Sequence, residues 1–546
     1  MSASRRALLA LAGLLALAFA WAWGNRFVQD DAYISCTYAR HWVEGHGLVF
    51  NPGERVEGYT NFLWTLLLAL PIRAGWDPAA FACGAGLAAF ALTLLLAHRL
   101  ASLFSPSRAA GLWAVFLLGA NYTFSAYATG GLETQWQTLL VTAAAAVAFA
   151  AAARGTWGPA AFALFSLLAA LAVLMRLDSL VLLAVPAVLA AAAAWRGRNW
   201  RAVAGLAGPF ALLVGPWLAW KWHFYGALLP NTFHAKTGGA VWLRGLYYAG
   251  SFFVAYLLVV PLAIHLLRLR RDAREVARAS AAAPLPHRAL LLAHLPPILW
   301  LAYVVAVGGD FMEYRFLVPM LPLLMVLLAG SLCASRWRWA VAAALLAASG
   351  LHARTFDASP LKRGMASVPE LRRCVTGRGN WCELGAALGR AFGPGDRPSI
   401  AVTPAGALPY FSRLRTVDML GLNDPWVARH GARLSDRAGH RRIATVAYLR
   451  ARGVNLVIGH PTLVPRSRAR PAYAADDRHL RQMFVFRPLP DPESLPRDAC
   501  VVEIPVGADD ALLAIYLTPH PAVEDRIRAA GWRVVPLVAG PPPPAA

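Results

Sequence analysis

The chain has 546 residues, of which 58% are hydrophobic and only 15% are charged, so most of it must lie in lipid and an ordinary water-soluble domain is excluded. The formal net charge is +23, but the arginines stand between apolar runs, which favours anionic lipid over nucleic acid as a partner. The six cysteines show no paired CxxC spacing, so no zinc site or disulfide framework is predicted. Only Cys374 and Cys382 are candidates for a disulfide bond.

Apolar stretches follow one another through the first two thirds of the chain and predict about eleven membrane helices. The first stretch follows Arg5 and Arg6, and we interpret it as an uncleaved helix that enters the membrane from the cytoplasm. The predicted crossings are Ala7–Trp23, Ala79–Ala97, Ala109–Phe124, Leu139–Ala153, Ala160–Met175, Leu180–Trp195, Val203–Trp220, Tyr247–Leu267, Leu290–Val307, Phe316–Leu332 and Ala340–Leu351.

Arginine is concentrated in alternate loops between these helices, as expected for cytoplasmic loops. The other loops are therefore predicted to be extracytoplasmic: 25–78, 129–135, 176–179, 221–243, 308–315 and everything after His352. This assignment requires that Phe62–Ile72 does not cross the membrane. At about a dozen residues this segment is too short to span and suits a helix at the membrane interface.

The composition changes near His352, where apolar helices give way to a segment rich in Arg, Pro and Gly. We therefore expect two domains, an all-α polytopic membrane domain at 1–351 and a water-soluble α/β domain at 352–546. The runs Ser399–Val402, Val454–Ile458 and Val501–Ile504 predict strands, and Ala444–Arg452 predicts a helix between them. The Pro-rich tail Pro541–Pro544 is predicted to be unstructured.

Two adjacent carboxylates, Asp30 and Asp31, begin the first predicted extracytoplasmic loop. Adjacent carboxylates repel each other, and this cost rises near a membrane, so a structural need for both is hard to see. The alternative is a solvated helix N-terminus, where the helix dipole favours negative charge.

Further polar motifs occur in the same set of loops. They are the segment Gly45–Asn61, then Gly131-Leu132-Glu133-Thr134, Arg176-Leu177-Asp178, Tyr225–Lys236 and Gly308–Arg315. Together with the Asp-Asp pair, these motifs resemble the GT-C glycosyltransferases. The similarity is greatest to the family of the mycobacterial terminal arabinofuranosyltransferase and to related lipopolysaccharide-associated glycosyltransferases of Gram-negative bacteria. The most specific parts are the Asp-Asp loop through Asn61 and the segment Pro230–Lys236.

The resemblance implies a GT-C-like enzyme of the bacterial inner membrane, with its active site and C-terminal domain outside the cytoplasm. It would move arabinofuranose, or another pentose or a hexose, from a polyprenyl-phosphate donor to an envelope glycan or glycolipid. Asp30 matches the leading acidic residue of the family pattern and is the predicted catalytic group, with Asp31 as the second candidate. The predicted substrate-binding residues are Glu57, Tyr59, Asn61, Glu133, Asp178, His234 and Asp310. Arg176-Leu177-Asp178 lacks the expected Pro between Arg and Asp, and Met312–Arg315 is a variant, so the sugar and acceptor stay open.

Simple chemistry agrees with this resemblance, because phosphate leaves without a general acid and the reaction needs one carboxylate and some cations. Five cations occupy predicted extracytoplasmic loops against the topological trend: Arg40, Arg55, Lys221, Lys236 and Arg315. A lipid phosphate would explain them, and Lys236, Arg315 and Arg40 are the predicted donor-phosphate ligands. No cofactor is predicted; a divalent metal stays open, although His46 and His234 lack neighbours at ligand spacing.

Each cation and carboxylate also has an ordinary structural interpretation. Lys221 follows Trp217 and Trp220 at a helix end, which favours interfacial snorkelling, and Arg176 and Asp178 could pair to cap a helical hairpin. A lipid-linked-sugar flippase or other transporter is the alternative function, although transporters carry charges near the bilayer midplane and here the charges collect at one face. The C-terminal domain is expected to shape acceptor access, with Thr416–Asp424 over the cavity, and not to carry the reaction.

Overall fold

A computed structural model of the chain describes residues 3–197, 200–236, 241–276, 287–393, 395, 397–467 and 470–538. Helices fill the first two thirds because long apolar runs satisfy their own backbone hydrogen bonds in this form. They are α1 (Ala3–Gly24), α2 (Asp30–Val43), α3 (Phe62–Arg73), α4 (Pro78–Phe104), α5 (Ala110–Gly119), α6 (Tyr122–Ala126), α7 (Thr134–Arg154), α8 (Pro159–Met175), α9 (Ser179–Gly197), α10 (Trp200–Tyr225), α11 (Asn231–Lys236), α12 (Trp242–Ala255), α13 (Val259–Val276), α14 (His287–Leu292), α15 (Leu295–Ala306), α16 (Leu321–Cys333) and α17 (Arg338–Thr355).

Seven helices among the described residues are long and apolar enough to cross a membrane, which agrees with a multi-pass membrane protein. They are Arg5–Gly24, Pro78–Phe104, Thr134–Arg154, Ser179–Gly197, Trp200–Tyr225, Ala289–Ala306 and Arg315–Cys333. Every predicted crossing coincides with a helix or a helix pair, but α5 has only 10 residues, a length of about 15 Å. The number of eleven crossings stays a prediction.

One predicted crossing, Tyr247–Leu267, is not a straight helix. Helices α12 and α13 meet at an angle of 91°, and the break contains Leu257 with a φ of 51°. Pro261 lies four residues after Leu257, and a proline clashes with the carbonyl group of the residue four positions before it, so the sequence does carry a signal for this break. The predicted crossing is thus broken near Leu257, and whether the bent pair spans the membrane stays a prediction.

Helix α3 was expected to lie outside the set of crossings, and its geometry agrees with this interpretation. Its 12 residues extend about 18 Å, well short of the roughly 30 Å of a hydrocarbon core. Trp64 and Leu68 are buried on one of its faces, where the helix packs against α2, α4 and α8.

The C-terminal part contains the expected mixture of helices and strands. Its helices are α18 (Val368–Thr376), α19 (Trp381–Phe392), α20 (Ala407–Ser412), α21 (Pro425–His430), α22 (Val446–Ala451), α23 (Arg478–Met483) and α24 (Pro521–Ala530). Its strands are β1 (Ile400–Val402), β2 (Thr416–Asp418), β3 (Ala432–Arg433), β4 (Arg442–Ile443), β5 (Leu456–Gly459), β6 (Leu463–Pro465), β7 (Tyr473–Ala474), β8 (Cys500–Val506), β9 (Asp510–Tyr516) and β10 (Arg533–Val538).

These strands form one mixed sheet with helices on both faces. Its order is β2-β1-β5-β9-β8-β10-β7, β6 pairs with β9, and β3 and β4 form a separate pair. Because successive side chains point to opposite faces, Ala401 and Val457 enter one core, whereas Ile400 and Leu456 enter the other. The three predicted strands and the predicted helix at 444–452 are confirmed.

Hydrogen bonds join the sheet domain to the helical domain. Two asparagine side chains of the helical domain bind backbone groups of the sheet domain. Asn51 exchanges two hydrogen bonds with the backbone of Thr416, at 2.9 and 3.0 Å. The Asn231 amide donates to the carbonyl oxygens of Gly421 and Leu422, at 2.9 and 3.0 Å. The segment after β2 is thereby held against two of the loops that carry the sequence motifs.

Three further sequence predictions concern the domain boundary, the cysteines and segments that the structure does not describe. Helix α17 continues to Thr355, slightly beyond the boundary expected at His352. All six cysteines are free, so Cys374 and Cys382 are not bonded. The tail Pro541–Pro544 lies outside the described residues, and so do Arg198 and Arg278, two of the arginines in the alternate loops that are predicted to be cytoplasmic.

Candidate functional site

A cavity of about 550 Å³ lies between the N-terminal end of α2 and the sheet domain. This volume suits a small-molecule or sugar site. Asp30 and Asp31 stand side by side in its wall, together with Phe311 of the 308–315 motif. The sheet domain contributes the opposite wall, which includes Trp381, Thr403, Ala405, Leu420, Leu422, Arg437, His440, His460 and Phe486.

The carboxylate of Asp30 is buried, with 6% of the residue exposed. It accepts hydrogen bonds from the backbone N–H groups of Ala407, at 2.7 Å, and Gly406, at 3.1 Å. Burial raises the pKa of Asp30 to about 7; the two N–H groups oppose this rise, and the charge of Asp31 adds to it. Asp30 is therefore a carboxyl group that changes its protonation state near neutral pH, as a general base should.

Close approach of two backbones makes this arrangement possible. A Cβ atom on Gly406 would lie 1.9 Å from the carbonyl oxygen of Asp30, a distance that no side chain tolerates. Glycine at this position lets the loop after β1 reach Asp30.

The second carboxylate, Asp31, is only half-buried. Its backbone N–H donates to the side chain of Gln29, which caps the start of α2. Asp31 also lies near enough to Arg315 to interact electrostatically. Of the two carboxylates, Asp30 is the one held by the sheet domain, and Asp31 is the more accessible from the cavity.

Three of the predicted substrate-binding residues form one buried network. Glu133 accepts hydrogen bonds from Arg176, at 2.7 Å, and from Asn61, at 2.8 Å. Arg176 also pairs with Asp178, whose second partner is Gln137. Burial alone would raise the pKa of Glu133, but Arg176 and Arg315 outweigh burial and hold it below the usual range. Arg176 and Asp178 do form the ion pair that the sequence suggested. Arg176 also pairs with Glu133, which in turn binds Asn61, so the network joins three loops.

Arg315 and Asp310 form a second buried pair beside this network. The Nε of Arg315 lies 2.7 Å from Asp310 Oδ2. The ring of Phe316 lies under both arginines, 5.5 Å from the Arg176 guanidinium and 5.2 Å from that of Arg315. No further hydrogen bond of the Arg315 guanidinium occurs among the described residues, so its two terminal amino groups remain for a ligand.

Glu57 and Tyr59 lie in a separate buried cluster. Lys221 Nζ is 2.9 Å from Glu57 Oε2, and both side chains are almost fully buried. The Tyr59 hydroxyl contacts that of Tyr225 at 3.2 Å. Interfacial snorkelling of Lys221 is therefore wrong, because the ammonium group points to a buried carboxylate and not to a membrane surface.

Sequence comparison finds a family match in the C-terminal part of the chain and curated relatives over a little more than half of it. Residues 371–508 match a domain of unknown function (DUF8728). Over 341 residues the chain is 29% identical to the terminal beta-(1->2)-arabinofuranosyltransferase of Mycobacterium tuberculosis, which covers 56% of this chain and 52% of that protein. The chain thus spans about half the length of the curated relatives that it matches.

Solved structures match almost the whole chain. ArnT from Cupriavidus metallidurans, bound to undecaprenyl phosphate, superimposes with a TM-score of 0.53 at 14% identity, over 94% of this chain and 98% of ArnT. The oligosaccharyltransferase AglB from Archaeoglobus fulgidus, in complex with an inhibitory peptide and a dolichol-phosphate, gives 0.51 at 11% identity, over 93% and 74%. The chain has the GT-C fold. The predicted resemblance to GT-C glycosyltransferases and to the arabinofuranosyltransferase family is confirmed.

Of the predicted site residues whose side chains the structure describes, only Asp30 and Asp31 line the carboxylate cavity. Arg40 lines a different cavity at the other end of α2 and donates from Nη1 to the carbonyl oxygen of Tyr410. His234 is half-buried, and its ring packs against Phe233. The side chain of Lys236 lies outside the described residues, so its role as a phosphate ligand stays a prediction.

Most of the second wall of the carboxylate cavity was not predicted from the sequence; the exception is the segment 416–424, which contributes Leu420 and Leu422. His440 and His460 lie in this wall, and the ring of His440 lies 5.1 Å from that of Phe311. Burial and the charge of Arg437 lower the pKa of His440 to about 3, so this ring is neutral. A histidine in a polar loop carries no local signal for such a position. Among the described residues, no cluster of three His, Cys, Asp or Glu side chains suits a metal ion.

Proposed function

We propose that the chain is a GT-C glycosyltransferase that takes a sugar from a polyprenyl-phosphate donor and passes it to an envelope glycan or glycolipid. The observation that carries this proposal is a buried carboxyl group with a pKa near neutrality, in a cavity shared by the helical bundle and the sheet domain. The matched arabinofuranosyltransferase makes arabinofuranose the first sugar to test, and the lipids bound to ArnT and AglB favour a lipid phosphate as the leaving group.

Asp30 is the catalytic residue in this proposal. If the sugar inverts, Asp30 takes the proton of the acceptor hydroxyl while the oxygen attacks the anomeric carbon. The bond from that carbon to the phosphate oxygen breaks, and the lipid phosphate leaves with the electron pair. If the configuration is retained, the same carboxylate stabilises or traps the glycosyl cation. Both routes need a negative charge at Asp30, and Asp31 is the second candidate for that charge.

Among the predicted phosphate ligands, Arg315 has a side chain that the structure describes and a geometry that suits the donor phosphate. Only its Nε is used by Asp310, and a guanidinium with free amino groups can hold phosphate oxygens in two places. Lys236 completes the proposed phosphate site. Glu133, Asp178, Asn61 and Asp310 then act by fixing the arginines and lining the sugar side, while Glu57 and Tyr59 support the loop that carries Asn61.

The sheet domain provides the acceptor side of the cavity. Leu420 and Leu422 line it, and they belong to the segment 416–424 that was expected to overhang the site. The same domain donates both N–H groups to Asp30. Its influence thus reaches the reacting carboxylate as well as the acceptor entrance.

The proposed location is the bacterial inner membrane, with the N-terminus in the cytoplasm and the cavity outside it. The arginine distribution supports this orientation. Reporter fusions after Arg271 and after Gly421 test it, and we expect a cytoplasmic signal at Arg271 and an extracytoplasmic signal at Gly421. The reverse pair of signals would invert the topology and remove the extracytoplasmic site.

The test of function uses the purified full chain in nanodiscs with synthetic polyprenyl-phosphate sugars, arabinofuranose first, then other pentoses and hexoses. Mass spectrometry of envelope glycans from cells with and without the gene identifies the acceptor. We expect transfer from at least one donor with release of polyprenyl phosphate. Movement of the intact donor lipid across the bilayer without sugar transfer would instead support a flippase.

A further inference from the structure

A second cavity, of about 410 Å³, lies at the C-terminal end of α2. We call it the arginine pocket, because Arg40, Arg397, Arg413 and Arg415 line it. It shares no lining residue with the carboxylate cavity. Helix α20 lies between the two cavities: its N-terminal end contacts Asp30 and its C-terminal end contacts Arg40.

The pocket contains more positive charge than its carboxylates balance. Arg415 pairs with Glu54 at 2.6 Å, and Arg413 lies 3.6 Å from Glu44. Arg40 and Arg397 have no carboxylate within ion-pair distance among the described residues, and their hydrogen bonds go to backbone carbonyl oxygens. Two guanidinium charges are therefore left over.

One of these surplus charges is deeply buried. Arg40 is 5% exposed, and its guanidinium lies 4.7 Å from the centre of the Tyr410 ring. Burial and the nearby charge of Arg413 lower the pKa of Arg40, and the same two causes lower the pKa of Arg397. A buried cation without an anion is costly, so a bound anion would stabilise this pocket.

Size and geometry indicate which anion fits. Guanidinium groups bind phosphate through paired N–H donors, and the volume exceeds that of a single inorganic ion. We propose that the arginine pocket binds a phosphate-bearing group, either the headgroup of an anionic lipid or a soluble phosphate ester. This site is additional to the proposed donor site and does not depend on the proposed catalytic reaction.

The test measures binding by the full chain in neutral detergent, with inorganic phosphate as the probe and sodium chloride at equal ionic strength as the reference. We expect phosphate to raise the thermal unfolding temperature. Arg413→Gln and Arg40→Gln should weaken the apparent phosphate affinity at least about ten-fold, since each removes a charged donor. The matched control is Arg526→Gln, which removes one exposed charge from α24 and should change nothing.

Two further comparisons show at which site phosphate binds and which natural ligand it replaces. If the phosphate effect is lost in Arg315→Met and kept in Arg413→Gln, phosphate binds at the donor site and the proposal is overturned. Nanodiscs of phosphatidylcholine, with or without phosphatidylglycerol, identify the natural source. Loss of the phosphate effect only with phosphatidylglycerol assigns a lipid headgroup, and persistence in both assigns a soluble ester. No stabilisation by phosphate or by phosphatidylglycerol refutes the site.

Discussion

The two ends of α2 carry opposite charges and meet the same domain in opposite ways. At the first end, the Asp30 carboxylate accepts from backbone N–H groups of the sheet domain. At the last turn, the Arg40 guanidinium donates to a backbone carbonyl of the same domain. Each contact leaves charge facing a cavity. Helix α2 thus presents an acidic site and a basic site along one line, about 15 Å apart over ten residues.

The helix dipole explains the signs of these charges but not their burial. Acidic groups in the first turn and basic groups in the last turn are each worth about 0.3–1 kcal/mol when exposed. Raising the pKa of Asp30 from 3.8 to about 7 corresponds to a cost on the order of 4 kcal/mol. The cost is larger than the dipole gain, so a solvated helix terminus does not account for Asp30.

Removal of charge at Asp30 should have the largest effect. Asp30→Asn keeps the size of the side chain and removes the base, so turnover should fall at least about a hundred-fold. Asp31→Asn should cost less if Asp31 only orients its neighbour. Turnover of purified variants with a synthetic donor decides between them. A dead Asp31→Asn beside an active Asp30→Asn would transfer the catalytic role, and activity in both would refute the mechanism.

A substitution at Arg315 tests whether a cation outside α2 binds the donor phosphate near the Asp30 end of this helix. Arg315→Met removes a charge-assisted contact of about 1.5 to 3 kcal/mol, so the apparent donor affinity should fall roughly ten- to a hundred-fold. Arg40→Gln, at the basic end, should leave donor affinity unchanged at equal folded fraction. The comparison fails if Arg40→Gln weakens donor binding and Arg315→Met does not.

The pH dependence of turnover should follow the protonation of Asp30, at the acidic end of α2. The deprotonated form of Asp30 is the active one and its pKa is raised to about 7, so turnover should rise with pH up to that point. One pH unit below it, turnover should be about a tenth of the plateau. Rates measured from pH 5.5 to 8.5 check this, and a flat profile would contradict the assignment of Asp30 as the base.

The smallest effect is expected at the mouth of the arginine pocket. Arg413 is exposed and lies beyond α20 from the carboxylate cavity. With a short acceptor that carries no phosphate, Arg413→Gln should keep turnover within about two-fold of the unmodified protein. A loss comparable to that of Asp30→Asn would show that the two ends of α2 act as one site.

Local features of this chain were predictable from sequence, and long-range pairings were not. Apolar length indicated the helices, and β-branched runs indicated β1, β5 and β8, because both signals lie within one element. Lys221 was misjudged because its partner Glu57 is far away in sequence and the neighbouring tryptophans suggested a membrane surface. The bend at Leu257 was missed because apolar length alone predicted this crossing, although Pro261 lies four residues further along the chain.

The candidate site shows the same division. The Asp-Asp pair and the motifs with Glu133, Asp178 and Asp310 could be found by their composition and by family resemblance. The grouping of Glu133 and Asp178 into one network through Arg176, the pairing of Asp310 with Arg315, and the separation of Arg40 from both depend on how loops fold over one another. The N–H groups of Gly406 and Ala407 have no sequence signal at all, since every residue except proline has one.

The hydrogen bonds that Asp30 accepts join positions 376 and 377 residues apart, and this separation has a consequence for biosynthesis. Asp30 emerges from the ribosome among the first residues, long before its partners after β1 exist. Domains fold in the order in which they are made, so the reacting carboxylate reaches its final environment only when the sheet domain has closed over it. Under the proposed function, a chain arrested before that point would hold the donor-side arginines and still be inactive.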